Sequence, residues 1–367
     1  MKSIYVILGC SLLLTAVPAR AMFMRPDVEP VPTDRLITNL EAKAKEAAAP
    51  VETLYALGRV HAIAYAQKPA DFNVLRKSGL PFFGYQDNGM LPPTPQPAGD
   101  KDHLAKAIEW YGKAAAKDTN HLASMMGLGW CQDQKGDKKA AVATYRKAFN
   151  LAWSRDKNAG HVFGPCVTKE VAGYLVPLLD EKADAKEIAK IKEIEAEADK
   201  FPRAVTPILV PLEDGLTLGE MTDPQAGVKF DLDGCGQARA WGWPTPKAGW
   251  LVYDPTGKGE ITSGLQLIGA VTFWVFWENG YHALSALDDN HDGWLRGNEL
   301  KGLGVWQDAN GNGISERGEV IPLGALGIEA IACGYQLHGT GIPYNPAGLI
   351  LKDGHTRATY DWITKSR

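Results

Sequence analysis

Two twelve-residue segments of the sequence carry side-chain oxygens at the same spacing. The first, DDNHDGWLRGNE, covers residues 288–299, and the second, DANGNGISERGE, covers residues 308–319. In both, an Asp or Asn stands at positions one, three and five, a Gly at position six and a Glu at position twelve. A chain that turns tightly around one point presents alternate residues inward, so these oxygens could surround a hard divalent cation. The pattern therefore predicts two cation sites.

The two segments, loop 1 and loop 2 below, match the EF-hand formula for calcium. Calcium takes six to eight oxygens, the Gly permits the sharp turn, and the closing Glu can bind with both oxygens. The predicted ligands of loop 1 are Asp288, Asn290, Asp292, the Trp294 carbonyl and Glu299. Those of loop 2 are Asp308, Asn310, Asn312, the Ile314 carbonyl, Glu319 and, directly or through water, Glu316. Ordinary surface turns would not explain an acid at both ends of two successive loops. Two bound calcium ions are expected.

Related segments depart from the formula. Residues 254–265 keep Asp at position one and Gly at position six, but Lys258 stands at position five and no acid closes the loop, which argues against a site. In FDLDGCG, Asp231 and Asp233 are followed by Cys235 where a third oxygen would be expected, so only a weak site is predicted. In loop 1, Arg296 places a cation at position nine and should weaken calcium binding there.

Residues 205–367 resemble a family of secreted bacterial proteins with EF-hand-like calcium modules. The resemblance rests on the order FDLDG-x-G, W-x-x-P, LVYDPTGKG, NGYHALSALD, VWQDANGNG, LGIEAIA and DGHTRATYDW. It implies that calcium organises an otherwise weak fold, and it implies no particular activity. The loops begin only twenty residues apart, unlike a calmodulin-type pair, so a sensor that opens a hydrophobic groove is not indicated.

The N-terminal half contains a helical repeat. Three residues recur 34 positions later, Ala107, Tyr111 and Ala114 as Ala141, Tyr145 and Ala148. That period is typical of tetratricopeptide-like helical hairpins, in which small residues allow two helices to approach and an aromatic ring fills the groove. The Gly/Pro-rich stretch 78–100 is interpreted as an inserted loop. Such a domain would provide either a surface for a protein or peptide partner or a helical spacer.

The N-terminus has the layout of a secretory signal, with Lys2, an apolar run from Ile4 to Val17, and Ala19-Arg20-Ala21. Cleavage after Ala21 would make the protein secreted or periplasmic, and no later segment is predicted to span a membrane. The prediction is an α+β multidomain protein: a signal peptide at 1–21, an all-α tetratricopeptide-like domain at 22–200, and a mixed α/β, Gly-rich calcium-binding domain at 201–367.

Charge and cysteine content narrow the function classes. The formal net charge is −4 with both signs mixed along the chain, which disfavours nucleic-acid binding. Four cysteines lie beyond the signal, with no close Cys/His spacing of a zinc site. Because two fall in each proposed domain, we expect disulfides between Cys131 and Cys166 and between Cys235 and Cys333.

Evidence for an enzyme is sparse. No G-x-S-x-G or H-E-x-x-H motif occurs, and HGTG at 338–341 is interpreted as a glycine turn. The aromatic run FWVFWENGY at 273–281 is interpreted as core rather than as a binding groove. A calcium-stabilised module is the preferred function. A peptide-binding helical adaptor and a hydrolase without a recognisable motif remain the alternatives.

Overall fold

The computed structural model describes residues 28–46, 49–67, 71–75, 101–159, 162–163, 167–198, 200–234 and 236–367. Within these ranges the N-terminal half is mainly helical and the C-terminal half is built on an antiparallel sheet. This confirms the α+β prediction at that level. The predicted signal peptide 1–21 and inserted loop 78–100 lie outside the described residues, as do Cys166 and Cys235.

Seven helices of nine or more residues form the N-terminal half of the described chain. They are α1 (Thr33–Ala44), α2 (Val51–Gln67), α3 (Lys101–Lys117), α4 (Leu122–Gln134), α5 (Lys138–Ala159), α6 (Val167–Leu175) and α7 (Ala185–Ala198). Successive helices pack against one another, because the short connections of α3–α4 and α4–α5 leave antiparallel packing as the natural arrangement. Two short helices, α8 (Leu218–Met221) and α9 (Gly280–Ser285), lie in the C-terminal half.

The repeated tyrosines fill the grooves between these helices. The ring of Tyr111 on α3 lies against Gly58 of α2 and Gly127 of α4, and Tyr145 of α5 lies against Gly129. A Cβ atom on Gly58 would come within 2.6 Å of the Tyr111 ring, and one on Gly129 within 2.7 Å of Tyr145. Only glycine therefore allows this close approach. The residues of the 34-residue pattern are packing residues, and the tetratricopeptide resemblance itself stays a prediction.

The strands form one large sheet and three small ones. In chain order they are β1 (Val28–Pro32), β2 (Asp71–Leu75), β3 (Val162–Phe163), β4 (Arg203–Val205), β5 (Ile208–Pro211), β6 (Thr222–Phe230), β7 (Arg239–Pro244), β8 (Ala248–Tyr253), β9 (Trp294–Arg296), β10 (Leu303–Trp306), β11 (Val320–Pro322), β12 (Ile328–Ala332), β13 (Gln336–Leu337), β14 (Pro343–Leu351), β15 (Thr356–Asp361) and β16 (Thr364–Lys365). The small sheets are β1–β2, β16–β4–β3 and β6–β7.

The order of strands in the large sheet separates the two predicted calcium loops. The order is β11-β10-β8-β5-β15-β14-β12-β9, with β13 paired to β14, and all of these pairs are antiparallel. Loop 2 connects β10 to β11 at one edge, where Trp306 pairs with Val320. Loop 1 contains β9, the strand at the opposite edge. The two loops therefore do not form a face-to-face pair.

One hydrophobic core continues from the helices into the sheet. It joins residues such as Leu36, Tyr111 and Ile191 of the helical half to Leu251, Leu295 and Leu349 of the other half. A second core, rich in tryptophan, lies between the large sheet and the β6–β7 hairpin. In the described part of the chain, the helical half and the sheet half therefore bury part of their surfaces against each other.

The aromatic run is buried, as predicted, and it lies at the junction of the two halves. Phe273, Trp274 and Phe276 all have backbone φ angles near +60°, a region that bulky residues rarely occupy. Two side chains of α2 donate hydrogen bonds to this segment. The Tyr55 hydroxyl donates to the Val275 carbonyl at 2.5 Å, and Arg59 Nε donates to the Trp274 carbonyl at 3.0 Å. The helical half therefore contributes to holding a strained segment of the other half.

Cys131 and Cys333 are buried and do not pair with each other, and burial raises the pKa of both thiols. Because their predicted partners lie outside the described residues, the disulfide pairing stays a prediction. Across the part of the chain that the structure describes, each helix is too short or too polar to cross a lipid bilayer.

Candidate metal centres

Loop 1 begins with a buried carboxylate. Helix α9 starts at Gly280, where the Asn279 side chain accepts hydrogen bonds from the first backbone amides, and it ends three residues before Asp288. Asp288 is 2 % exposed, and its Oδ2 accepts a hydrogen bond from the Gly293 amide at 3.0 Å. Its other oxygen, Oδ1, is buried and has no hydrogen-bond partner among the described residues. A buried carboxyl oxygen without a hydrogen-bond partner is unfavourable unless a cation or donor reaches it.

Positions three and five of loop 1 curl around the same turn. Asn290 Oδ1 accepts from the Asp292 amide at 2.8 Å, and Asp292 Oδ1 accepts from the Trp294 amide at 2.8 Å. His291 lies between them with a φ of 60° and is not a predicted ligand. The Arg296 guanidinium lies over the Trp294 ring, 5.2 Å from the centroid, and the weakening of calcium binding by this charge stays a prediction.

The closing acid of loop 1 folds back onto its start. Glu299 Oε1 accepts from the amides of Asp289 at 2.8 Å and Asn290 at 3.2 Å, while Oε2 accepts from the Arg296 amide at 3.0 Å. Leu295, at position eight, is fully buried, and its strand β9 pairs with β12. The sheet thus fixes one side of the loop, and Glu299 ties its two ends together.

Helix α1 of the other half contacts the second residue of loop 1. Arg35 Nε donates to Asp289 Oδ1 at 2.6 Å, and Asn39 Nδ2 donates to the same oxygen at 2.9 Å. The same two side chains also donate to the carbonyls of Leu287 at 2.7 Å and Ala286 at 3.2 Å. Partial burial alone would raise the pKa of Asp289, but these hydrogen bonds and the Arg35 charge hold it below its ordinary value.

Loop 2 is built in the same way from the β10–β11 hairpin. Asp308 is 6 % exposed; its Oδ1 accepts from the Asn312 amide at 3.1 Å and its Oδ2 from the Gly313 amide at 2.8 Å. A third donor comes from outside the loop, since Trp243 Nε1 donates to Asp308 Oδ2 at 2.8 Å. The ring of Trp243 on β7 therefore anchors the first predicted ligand of this loop.

The remaining acids of loop 2 close over positions three and five. Glu316 accepts from the side-chain amides of Asn310 at 2.9 Å and Asn312 at 3.4 Å, so it leans across the loop as a ninth-position ligand would. Glu319 Oε1 accepts from the Ala309 amide at 3.2 Å. Trp306 Nε1 approaches Glu319 Oε2 at 3.4 Å. Ile314, predicted to offer only its carbonyl, points its side chain to solvent with 61 % exposure.

The same hydrogen bond recurs in four loops of this half. In each, the amide of the sixth residue, a glycine with positive φ, donates to the aspartate at position one. The pairs are Gly236 to Asp231 at 3.0 Å, Gly259 to Asp254 at 2.7 Å, Gly293 to Asp288 at 3.0 Å and Gly313 to Asp308 at 2.8 Å. The turn geometry is therefore shared by loops that carry the full ligand set and by loops that do not.

Loop 2 is paired with the ligand-poor loop at 254–265. Ser315 and Ile261 each stand at position eight of their loops, and Ser315 Oγ accepts from the Ile261 amide at 2.7 Å and donates to its carbonyl at 3.2 Å. In the ligand-poor loop, Thr256 Oγ1 donates to Asp254 Oδ1 at 2.8 Å. The third position of this loop therefore hydrogen-bonds to its first, and the absence of a cation site there stays a prediction.

Asp231 and Asp233 lie close enough to influence each other. Burial and the neighbouring charge of Asp233 raise the pKa of Asp231 to about 6. Asp233 is 1 % exposed, and Arg239 Nε lies 3.6 Å from its Oδ2. The guanidinium already balances part of this negative charge, and position five, Cys235, lies outside the described residues. The weak site predicted here stays a prediction.

The predicted ligand atoms indicate which kind of metal ion each loop could bind. Within the residues described, no three His, Cys, Asp or Glu side chains are grouped as ligands around one point. Asn side chains and main-chain carbonyls make up two of the five predicted ligands of loop 1 and three of the six of loop 2. The closing glutamates accept hydrogen bonds from backbone amides. All of the predicted ligands are oxygen atoms, whereas zinc and related transition metals usually take His or Cys ligands.

Several supporting residues are not visible in the loop formula. Arg35 and Asn39 lie about 250 positions before loop 1, and Trp243 lies 65 positions before Asp308. These contacts form only when distant parts of the chain fold together, so the spacing of residues within the loops could not predict them. The sequence contains one weak signal for Trp243, because its WGWP segment places two tryptophans close together in a Gly-rich region.

The HGTG segment is a turn between β13 and β14. His338 Nδ1 and Thr340 Oγ1 are 2.9 Å apart, and the imidazole packs edge-on against Tyr344 and Tyr360. The Gly341 amide donates to the His338 carbonyl at 2.7 Å, which closes the turn on itself. These contacts are those of a surface turn.

A comparison with family models finds similarity in the C-terminal half. The family model described as the SPM domain matches residues 212–361, a span that includes loop 1 and loop 2. The iron-regulated protein FrpA of Neisseria meningitidis serogroup C is 37% identical over 116 residues, which are 30% of this chain and 10% of that relative. The matched segment thus spans about a tenth of the length of this curated relative.

Proposed function

We propose that this protein is an exported calcium-binding protein in which calcium stabilises the C-terminal module. The observation that carries the proposal is Asp288 Oδ1, a buried carboxylate oxygen with no partner among the described residues, at position one of a loop with the EF-hand ligand pattern. A cation bound by loop 1 would supply the missing partner. Loop 2 repeats the ligand pattern and the hydrogen bond from the sixth-residue amide, with both oxygens of Asp308 accepting hydrogen bonds, and its pattern supports a second ion.

The proposed role is structural because of where the loops lie. They occupy opposite edges of the large sheet, so one ion would fasten the β10–β11 hairpin and the other would fasten β9. For affinities of the extracellular type, on the order of 0.1 to 1 mM, millimolar calcium would stabilise each site by roughly 0.4 to 1.4 kcal/mol. The helical half would then serve as a spacer or as a surface for a protein partner. Export rests on the signal-like N-terminal sequence.

Calorimetric titration of the full chain tests the proposal. We expect two calcium equivalents, and we expect Glu299→Gln and Glu319→Gln each to remove one, because each deletes the bidentate ligand of its loop. Magnesium should bind much more weakly, since it demands a tighter octahedral shell.

The matched control is Glu260→Gln, which removes the same charge from an exposed position of the ligand-poor loop. It should leave both equivalents in place. Absence of calcium binding in the parent chain, or equal responses to calcium and magnesium, would refute the calcium function.

A further inference from the structure

Loop 1 and loop 2 differ in which half of the protein holds them. Loop 2 receives its outside donors, the indoles of Trp243 and Trp306, from the C-terminal half to which it belongs. Loop 1 receives Arg35 and Asn39 from α1 of the helical half. The two halves therefore meet at one of the two proposed calcium sites.

The contacts from α1 reach the residues on both sides of the first ligand. Asn39, which is 4 % exposed, bonds to the Ala286 carbonyl and to the Asp289 carboxylate. Arg35 bonds to the Leu287 carbonyl and to the same carboxylate. Asp288 lies between these fixed points, so its backbone position is set from both ends by a helix more than 240 residues away in sequence.

Asp289 also connects α1 to the closing ligand. Its side chain accepts from Arg35 and Asn39, while its main-chain amide donates to Glu299 Oε1 at 2.8 Å. In addition, Asp289 adds a fourth acid to a loop that already contains three, and the guanidinium of Arg35 offsets that charge at 2.6 Å. Removing α1 would leave the loop both freer and more self-repelling.

We propose that Arg35 and Asn39 are positioning residues for loop 1, so that calcium binding in loop 1 and docking of α1 strengthen each other. This inference rests on the calcium function proposed above. A ligand binds more tightly to a site that is already ordered, because less conformational freedom is lost on binding. Linkage then requires the reverse effect, in which calcium holds α1 more firmly by the same factor.

The binding test measures loop 1 alone in the full chain. In a Glu319→Gln background, which silences loop 2, we expect Asn39→Ala to lower calcium affinity by about fivefold or more, at the lower end of typical coupling factors. Asn39 is neutral, so this loss would not reflect altered charge. Arg35→Lys, which keeps the charge but not the planar fork of donors, should also weaken binding. Thr38→Ala, at an exposed position of the same helix, is the matched control and should change nothing.

The reciprocal background separates positioning from general damage. With Glu299→Gln silencing loop 1, Asn39→Ala should leave the calcium affinity of loop 2 unchanged. An equal loss at both loops, or no loss at loop 1, would overturn the inference while the calcium function stood. Failure of the parent chain to bind calcium would instead remove the calcium function itself.

A measurement on the unmodified chain avoids any variant that fails to fold. Hydrogen exchange of the α1 amides should slow when calcium is added, and exchange in α4, which packs on α2, α3 and α5, should respond less. Glu299→Gln should abolish the calcium effect on α1, whereas Glu319→Gln should preserve it. Calcium-independent exchange in α1 of the parent chain would contradict the coupling.

Discussion

Buried carboxylates of this protein differ in the groups that surround them. Asp288 lies in a loop with further oxygen ligands and one unpartnered oxygen, an arrangement suited to a cation. Asp361 on β15 is fully buried, and burial raises its pKa well above the ordinary value, which the nearby Gly280 amide and Thr206 hydroxyl oppose only in part. Burial therefore favours the protonated form of Asp361.

Replacing Asp361 should change how stability depends on pH. Because the folded pKa lies above the unfolded value of about 4, the native state holds a proton that the unfolded state releases between those two pKa values. The free energy of unfolding therefore falls by about 1.4 kcal/mol per pH unit across that window. In Asp361→Asn this contribution vanishes, so the variant should gain stability relative to the parent as pH rises from 4 to 8.

Urea unfolding in the presence of chelator at both pH values measures this difference. Chelator keeps calcium out of the comparison. A variant that is destabilised equally at pH 4 and pH 8 would mean that the Asp361 carboxylate is ionised in the folded protein.

At the scale of the element, the four loops share a turn but differ in what lies beside it. Gly293 has a φ of 85° and open space where a Cβ would be, whereas a Cβ on Gly313, with a φ of 73°, would lie 2.7 Å from the Lys229 carbonyl. Left-handed backbone costs a non-glycine residue roughly 1–2 kcal/mol. Gly293→Ala should therefore lose about that much stability.

Gly313→Ala should lose more, because the added methyl group also collides with the backbone of β6. Thermal unfolding of both variants without calcium compares them directly. Equal losses would show that the turn conformation alone, and not the packing of loop 2 on β6, decides the cost.

The loop residues and the helical segments follow from local sequence, because ligand spacing and helical periodicity are local properties. The formula selected Asp288 to Glu299 and Asp308 to Glu319, and the structure folds both as closed turns. Their placement at opposite edges of the sheet depends on strand order, which is set by pairings such as β5 with β8 and β5 with β15. Such long-range pairing leaves no signature in a single loop. The contribution of Arg35 was hidden for the same reason.

At the scale of the molecule, one hydrophobic core joins the two halves. The buried cluster crosses the domain boundary predicted near residue 201, and α2 donates hydrogen bonds to the aromatic run. Halves that share a core should unfold together.

Scanning calorimetry of the full chain should give a single endotherm. Calcium should shift it as a unit by roughly 1 to 4 °C, given two sites of modest affinity. Two resolved endotherms, with only one moving on addition of calcium, would show that the halves are energetically independent despite their contact.

The tryptophan side chains beside the loops could also report ion binding by transferring excitation energy to a bound lanthanide. Trp294 stands at the seventh position of loop 1, while Trp243 and Trp306 reach the first and last acids of loop 2. A luminescent lanthanide in either loop would lie close enough to an indole to receive its excitation energy. Replacing Trp294 with phenylalanine would reduce the sensitised lanthanide emission from loop 1 and leave that from loop 2 unchanged. The occupancy of each site could then be followed separately in solution.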